Sequence, residues 1–326
     1  MRWLVRTVLG DIPPGDLGVT FMHEHLIIDS PTVAETMEHI HLPSVDEAVA
    51  ELTLCSGAGV SSVVDAMPAG SGRDINRLAL ASKRSNVHII ASTGMHTPKY
   101  YDRVPWAKTD SVEDLADRFI ADIETGIDRF DYRGAIVDRT FHRAGIIKLA
   151  TSTEETAGWD HRLFLAGAQA AAHTGAPILT HCEGGIGADR QLSLIDDVGV
   201  APSRVAMSHT DKVADRRYHL DLLSSGVNLE YDQALRQRES ADGGTAGLLR
   251  DMIEAGYLGQ LMLGTDGARR SLWSSLGGEP GLAWLASGFR DAMRRVGIGE
   301  TEQHALFVEN PRRFLRLGAR DVSSVA

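Results

Sequence analysis

The length, composition and charge of the chain limit what it can be. It has 326 residues, of which 43% are hydrophobic and 24% are charged, so it can bury a core of useful size. Its formal net charge of −11 argues against binding the phosphate backbone of a nucleic acid. Its two cysteines, Cys55 and Cys182, lie too far apart for a disulfide framework or a zinc ribbon, which favours a cytoplasmic location. Neither a signal peptide nor an apolar run of about 18 residues is found, so no membrane partner is expected.

Short apolar runs alternate with longer amphipathic runs along the chain. The predicted strands span residues 18–28, 60–67, 87–93, 144–151, 176–182, 204–209, 226–232 and 260–266. The predicted helices span residues 44–59, 73–85, 112–127, 154–175, 189–199, 215–226 and 244–256, followed by closing helices within 278–297 and 301–318. Strands that alternate with helices indicate parallel βαβ units. Eight such units favour an α/β fold, a (β/α)8 TIM barrel that spans residues 1–326 as one domain.

The alternative architecture is a doubly wound open sheet. It is disfavoured because no G-x-G-x-x-G motif follows the first predicted strand and no P-loop occurs in the chain. The stretch HCEGGIG, residues 181–187, is rich in glycine but has neither the lysine nor the spacing of a phosphate-binding P-loop.

Polar residues stand where the predicted strands end or are interrupted. They are His23 and His25 on the first strand, Lys148 on the fourth, His181 on the fifth, His209 on the sixth and Asp266 on the eighth. In a TIM barrel the active site lies at the carboxyl ends of the strands. Unpaired charges and imidazoles are costly in a packed core, but groups gathered around a metal ion satisfy one another.

Strand geometry brings the first pair together. Residues two apart on a strand project to the same face, about 7 Å apart. His23 and His25 can therefore converge on one ion while Glu24 points outward. The spacing differs from the helical H-E-x-x-H of zinc proteases.

Each of these residues also has a simpler explanation. A histidine at a strand end is often a hydrogen-bonded core residue, and Asp266 alone can cap a helix. Lys148 alone can form a buried ion pair or the Schiff base of an aldolase. A barrel that binds metal without catalysis is a further alternative. The joint occurrence of six such residues at strand ends favours a metal site.

The same series of residues resembles the phosphotriesterase family of the amidohydrolase superfamily. The resemblance includes the opening TVLGDIPPGDLGVTFMHEHL, residues 7–26, and the closing ENPRRFL, residues 309–315, and covers nearly the whole chain. It implies a metal-dependent hydrolase with two divalent ions. It also implies that His23, His25 and Asp266 hold an inner ion and that His181 and His209 hold an outer one.

The resemblance further implies the chemistry of the centre. Lys148 would be N-carboxylated and bridge both ions, and Asp266 would take a proton from a bridging hydroxide that acts as nucleophile. Two cations lower the pKa of bound water and polarise the oxygen of the substrate. Zinc is expected first because its ligands include imidazole and carboxylate; manganese, cobalt and iron remain alternatives.

The substrate is expected to be a small molecule, and the loops after the last two strands bear on its nature. They carry Arg238 and Arg269, and phosphate sites of barrels commonly form in these loops. The run ARRSLW…GGEPGL resembles the branch of the family that hydrolyses phosphorylated sugar lactones, in which a tyrosine would stand at Leu272. We therefore predict a lactonase for a phosphorylated or otherwise anionic sugar lactone, with Arg238 and Arg269 binding the anion. The alternative is a phosphotriesterase or simple lactonase with an apolar pocket. The resemblance also implies a homodimer.

Other residues near the predicted strand ends are expected to have supporting roles. We expect His96 to line the pocket, and we expect His39 and His41 to lie in a loop without binding metal. Asp65 is expected to have a structural role, and Asp211 is expected to orient the group that carries the proton.

Overall fold

A barrel of parallel strands forms the centre of the computed structural model, which describes residues 3–152, 158–240 and 243–318. The strands are β1 (Trp3–Thr7), β2 (Gly10–Ile12), β3 (Val19–Glu24), β4 (Val60–Asp65), β5 (His88–Gly94), β6 (Ala144–Thr151), β7 (Ile178–Cys182), β8 (Val205–Ser208), β9 (Asn228–Tyr231), β10 (Leu261–Leu263) and β11 (Leu317–Gly318). Strands β3 to β10 are parallel and follow one another in chain order in one eight-stranded sheet. The predicted TIM barrel is confirmed, and each predicted strand overlaps one of these eight, with β5 extending one residue beyond its predicted end to Gly94.

Helices cover the outside of the barrel. They are α1 (Pro31–Thr36), α2 (Val45–Gly57), α3 (Ile75–Ser85), α4 (Pro105–Thr109), α5 (Val112–Glu124), α6 (Trp159–Thr174), α7 (Ala188–Val198), α8 (Arg216–Ser224), α9 (Gly244–Glu254), α10 (Gly288–Arg295), α11 (Glu300–His304) and α12 (Asn310–Phe314). Local sequence sets their ends: Ser111 and Asp114 form a capping box at the start of α5. The first residues of the helix predicted over 154–175 lie outside the described residues. Within the described ranges no helix is long and apolar enough to cross a membrane.

The barrel closes between β10 and β3. The backbone N–H groups of Thr265 and Asp266 donate to the carbonyl oxygen of His23 at 3.2 and 2.9 Å. A side chain at Gly264 would meet the backbone nitrogen of His23 at 2.6 Å, so only glycine allows this approach. Because these bonds turn the chain toward β3, β10 ends at Leu263 and not at Asp266, where the sequence placed the end.

A small antiparallel sheet, which combines strands from near both ends of the chain, was not predicted from the sequence. It has the order β11-β1-β2, and it pairs Leu4 with Leu317. The closing stretch 301–318 was predicted to be helical. It contains α11, a π-helical turn at Ala305–Glu309 and α12, but its last two residues form β11.

Two apolar clusters lie on opposite faces of the barrel strands. The larger cluster packs the outward side chains, such as Val63 and Ile147, against the helices. The smaller cluster contains Val64, Ile90, Ile146, Leu179, Ala206 and Met262 together with Val5, Leu17, Phe314 and Leu315. Because neighbouring positions of one strand fall in different clusters, the smaller cluster fills the barrel interior. The polar residues predicted from the sequence begin directly beyond it.

Candidate metal centre

The structure brings the six predicted residues together at the carboxyl ends of the barrel strands. The rings of His23 and His25 have centroids 5.2 Å apart, and the ring of His209 lies 4.9 Å from His23 and 4.5 Å from His181. Lys148 Nζ lies 3.2 Å from His23 Nε2. His25 Nε2 lies 3.6 Å from a carboxylate oxygen of Asp266. His23, His25, Lys148 and His209 are buried, and His181 and Asp266 are partly exposed.

Three of the histidines direct one ring nitrogen toward the cluster and the other toward a carboxylate. His23 Nδ1 lies 3.3 Å from Glu230, and His209 Nδ1 lies 2.6 Å from Asp232. On the opposite side of its ring, His209 Nε2 lies 2.8 Å from His181 Nδ1. The contacts of His23 with Glu230 and of His181 with Glu183 are hydrogen bonds. A carboxylate that accepts from one nitrogen fixes the tautomer and leaves the other nitrogen free to bind a metal.

Glu230 and Asp232 were missed by the sequence interpretation. Both side chains are fully buried, and Asp232 Oδ2 also lies 3.4 Å from His23 Nδ1. The signal was present in the sequence. The stretch LEYD carries two acidic residues two positions apart in an apolar strand, which is the spacing that identified His23 and His25.

Asp266 and His181 have partners on the loops that surround the cluster. Arg236 donates to the backbone oxygens of Thr265 and Asp266 at 2.8 and 2.7 Å, and its guanidinium lies 3.3 Å from the Asp266 carboxylate. His181 Nε2 lies 3.0 Å from Glu183.

The charges of the cluster suit metal binding. Burial lowers the pKa of His25 to about 4 and that of His181 to about 3, so both rings are neutral at neutral pH. Burial also lowers the pKa of Lys148 to about 8, although nearby carboxylates oppose this shift. Burial alone would raise the pKa of Asp266, but His209 and Arg236 lower it to about 2.

The donor set fits divalent cations. Two groups of three ligand atoms lie within 4.8 Å of one another: one is His23, His25 and Asp266, and the other is His23, His209 and Asp232. Neutral imidazoles with carboxylates suit zinc and its neighbours. The first group is the set predicted for the inner ion. His25 Nδ1 is buried without a hydrogen-bond partner within the described residues.

Glu24 is buried and does not reach solvent. Its carboxylate accepts from the backbone N–H of Thr265 at 2.9 Å and from the Thr265 hydroxyl, across the junction where the barrel closes. Burial raises the pKa of Glu24 to about 8. Its carboxylate therefore joins the end of β3 to the segment that follows β10.

The loops after β9 and β10 carry four arginines, of which two bind backbone oxygens and two are exposed. Arg236 is held against Asp266, and Arg270 donates to the carbonyl oxygen of His41 at 3.0 Å. Arg238 and Arg269 are exposed. The Arg238 guanidinium lies 3.9 Å from Glu279, which belongs to the loop that carries Arg269, so the two loops approach each other.

His96, His41 and Asp65 are further residues for which the sequence predicted roles other than metal binding. The His96 ring lies 4.6 Å from the His181 ring, beside the cluster. His41 Nε2 lies 3.1 Å from Asp29 in the loop after β3, away from the metal ligands. Asp65 accepts from the backbone of Leu26 at 2.8 Å, a structural role.

Asp211 was expected to orient the group that carries the proton. In the structure it accepts from the backbone of Gln233 and from the Thr245 hydroxyl at 2.8 and 2.9 Å. It therefore holds the start of the loop that carries Arg236 and Arg238.

A (β/α)8 barrel with buried imidazoles, a lysine and a carboxylate at its mouth defines a metal-dependent hydrolase, and comparisons with known proteins agree. The chain matches the phosphotriesterase family over residues 4–315. It is 30% identical over 321 residues to the phospho-furanose lactonase of Mycoplasmopsis synoviae (strain 53), covering 95% of this chain and 91% of that protein.

Two solved structures share the fold over nearly all of the chain. The crystal structure of an amidohydrolase from Mycoplasma synoviae superposes with a TM-score of 0.90 at 28% identity, covering 98% of this chain and 93% of that one. The phosphotriesterase homology protein from Escherichia coli, complexed with phosphate in its active site, superposes with a TM-score of 0.82 at 26% identity, covering 92% of this chain and 99% of that one. The chain belongs to the phosphotriesterase family, a family of binuclear metal-dependent hydrolases.

Proposed function

We propose that this hydrolase opens the ring of an anionic sugar lactone, with a phosphorylated sugar lactone as the expected substrate. The observation that carries the proposal is the convergence of His23, His25, Lys148, His181, His209 and Asp266, together with exposed arginines on the loops after β9 and β10. The similarity to a phospho-furanose lactonase supports this substrate class. We also propose that residues 1–326 act as one domain; the homodimer stays a prediction.

The chain's own residues would hold two divalent ions. His23, His25 and Asp266 would bind the inner ion, His181 and His209 the outer one, and N-carboxylated Lys148 would bridge them. The lowered pKa of Lys148, about 8, makes its neutral amine accessible near neutral pH, and this is the form that adds carbon dioxide. When bound, the ions would lower the pKa of water and polarise the lactone carbonyl.

Asp266 is suited to move the proton. Its pKa of about 2 keeps it ionised, and Arg236 fixes its position. A water-derived hydroxide attacks the carbonyl carbon, and the bond from that carbon to the ring oxygen breaks. Asp266 accepts the proton of the nucleophile and passes it to the departing ring oxygen, which leaves as a hydroxyl group.

Arg238 and Arg269 would bind the anionic group of the substrate. They are exposed on two loops that approach each other, whereas Arg236 and Arg270 are held by backbone carbonyls. A guanidinium binds two oxygens of a phosphate at once. The phosphate in the active site of the related Escherichia coli protein supports an anionic substrate.

A screen of phosphorylated and plain aldonolactones tests this proposal. The metal-reconstituted protein is mixed with each lactone, and proton release is followed. We expect the phosphorylated lactones to react faster, and Arg238→Ala and Arg269→Ala to raise KM for them about tenfold or more. Arg84→Ala, which removes an exposed arginine paired with Asp46, is the matched control.

The screen also tests the second candidate, a hydrolase of neutral lactones or phosphotriesters. It is favoured by Leu272, a buried leucine at the position where the phosphorylated-lactone branch would have a tyrosine hydroxyl. Turnover of neutral long-chain lactones alone, insensitive to both arginine substitutions, would exclude the anionic substrate.

A further inference from the structure

The carboxylate partners of the candidate metal ligands differ in their exposure. Glu230 and Asp232, which face His23 and His209, have fully buried side chains. Glu183, which faces His181, has 37% of its side chain exposed. The candidate outer ligand His181 is thus paired with a carboxylate that is partly exposed.

We propose that Glu183 is a positioning residue of the outer metal site and fixes the His181 ring so that its Nδ1 faces the centre. This inference rests on the proposed function, because it requires His181 to be a ligand.

The hydrogen bonds of His181 define its orientation. Its Nε2 lies 3.0 Å from Glu183 Oε2, and its Nδ1 lies 2.8 Å from His209 Nε2. A neutral imidazole has one N–H, and an ionised carboxylate can only accept. The hydrogen is therefore on Nε2, and the lone pair of Nδ1 points into the cluster.

The glycines of HCEGGIG bring Glu183 back over His181. Residues Glu183–Gly185 form a tight turn in which Gly184 and Gly185 have φ values of 67° and 80°, a region that disfavours side chains. A Cβ at Gly185 would meet the carbonyl oxygen of His209 at 2.5 Å. The turn thus packs directly against the second outer ligand. This gives the glycine-rich stretch a function other than phosphate binding.

Lys99 holds the same carboxylate from the loop after β5. Its Nζ lies 3.4 Å from Glu183 Oε2, and about half of its side chain is exposed. The loop also places His96 against His181, with ring centroids 4.6 Å apart. Because exposed ion pairs contribute little, Lys99 is expected to matter less than Glu183.

Metal titration of the metal-free chain tests the proposal. Zinc or cobalt is added to the wild type, Glu183→Ala, Glu183→Gln and Lys99→Ala, and the number and affinity of bound ions are measured. We expect Glu183→Ala to weaken one of two ions by about 10- to 100-fold. Glu183→Gln, whose amide oxygen still accepts, is expected to stay close to the wild type. Lys99→Ala is expected to weaken that ion by about fivefold or less.

Two further measurements separate positioning from a general loss of structure. Nitrogen-15 NMR of labelled histidine is expected to show the Nε2–H form of His181 in the wild type and a mixture of tautomers in Glu183→Ala. Glu35→Ala is the control, because Glu35 in α1 forms an exposed ion pair with Arg103. It is expected to bind both ions as the wild type does.

The outcomes distinguish the two proposals. A wild type that binds fewer than two ions overturns the proposed centre and this inference with it. A wild type that binds two ions, together with Glu183→Ala that binds both equally tightly and keeps the His181 tautomer, overturns the role of Glu183 alone.

Discussion

Two consecutive layers inside the barrel have opposite chemistry although the same strands supply them. The inner layer is apolar and consists of Val64, Ile90, Ile146, Leu179, Ala206 and Met262. Two positions further along four of these strands stand Ser92, Lys148, His181 and Ser208, whereas Ala66 after β4 still belongs to the apolar cluster. One step of the strand pleat therefore separates packed core from candidate site. The inner layer supplies the buried apolar core, so the outer layer can carry polar residues of the candidate site.

Replacing Lys148 is expected to disrupt the candidate metal centre and to leave the apolar inner layer intact. Lys148→Ala is expected to lower turnover by about 10²- to 10³-fold or more, because the link between the two ions is lost. Turnover and bound metal are measured on the same preparation. Lys83→Ala, which removes an exposed lysine of α3, is the control. Full turnover with two bound ions in Lys148→Ala would exclude the bridging role. Trapping of Lys148 by borohydride with a carbonyl substrate would instead support the Schiff-base aldolase.

The sequence predicted the candidate metal centre better than its surroundings. The barrel follows from the alternation of strands and helices, and the six site residues follow from polar side chains at strand ends. These signals are local, because a polar residue in an apolar strand can be recognised without its partners. Glu230 and Asp232 carry the same signal, and the strand rule applied to LEYD would have found them.

Tertiary contacts account for what the sequence could not show. The sheet β11-β1-β2 pairs short strands from the two ends of the chain, and strands of two to five residues leave no periodic pattern. Arg269 and Arg270 are neighbours with the same chemistry. Only the fold reveals that Arg270 is held by His41 while Arg269 is exposed.

Shortening a side chain of the apolar inner layer tests whether this layer stabilises the fold independently of the metal centre. Ile146→Ala is expected to lower the free energy of unfolding by about 2–5 kcal/mol, because it leaves a cavity in a packed interior. Urea denaturation measures this loss, and metal analysis is expected to show the same number of ions. Leu54→Ala on the exposed face of α2 is the control. A loss of metal as large as that in Lys148→Ala would show that the layers are not independent.

Gly264 tests the close packing beside the candidate metal centre where the barrel closes. A Cβ at this position would meet Glu230 Oε1 at 2.5 Å and the backbone nitrogen of His23 at 2.6 Å. Gly264→Ala is expected to lower the free energy of unfolding by about 1–3 kcal/mol and to weaken metal binding, because His23 must shift. Gly57→Ala adds a Cβ with nothing within 4 Å and serves as the control. Unchanged stability and metal affinity in Gly264→Ala would contradict the close approach of β10 and β3.

A buried histidine outside the candidate metal centre sharpens the comparison, because both of its ring nitrogens are hydrogen-bonded to neutral groups. His219 Nδ1 lies 2.7 Å from the Tyr231 hydroxyl and its Nε2 lies 2.8 Å from the Val213 carbonyl oxygen. Nε2–H donates to the carbonyl and Nδ1 accepts from the hydroxyl, so this ring is satisfied as a neutral core residue. Burial lowers the pKa of His219 below its ordinary value.

The lowered pKa fixes the sign of a pH effect on stability. The stability that neutral His219 contributes is present above about pH 6.5, the unfolded pKa, and is lost as the pH falls, because only the unfolded chain takes up the proton. His219→Gln is expected to reduce the slope of unfolding free energy against pH by at most about 1.4 kcal/mol per pH unit below that point. Urea denaturation from pH 5 to 8 measures the slope, and contributions of the metal ligands cancel because both proteins contain them. His304→Gln, at an exposed position, is the control. An identical slope in His219→Gln and the wild type would show that the ring takes up its proton in the folded protein as readily as in the unfolded chain.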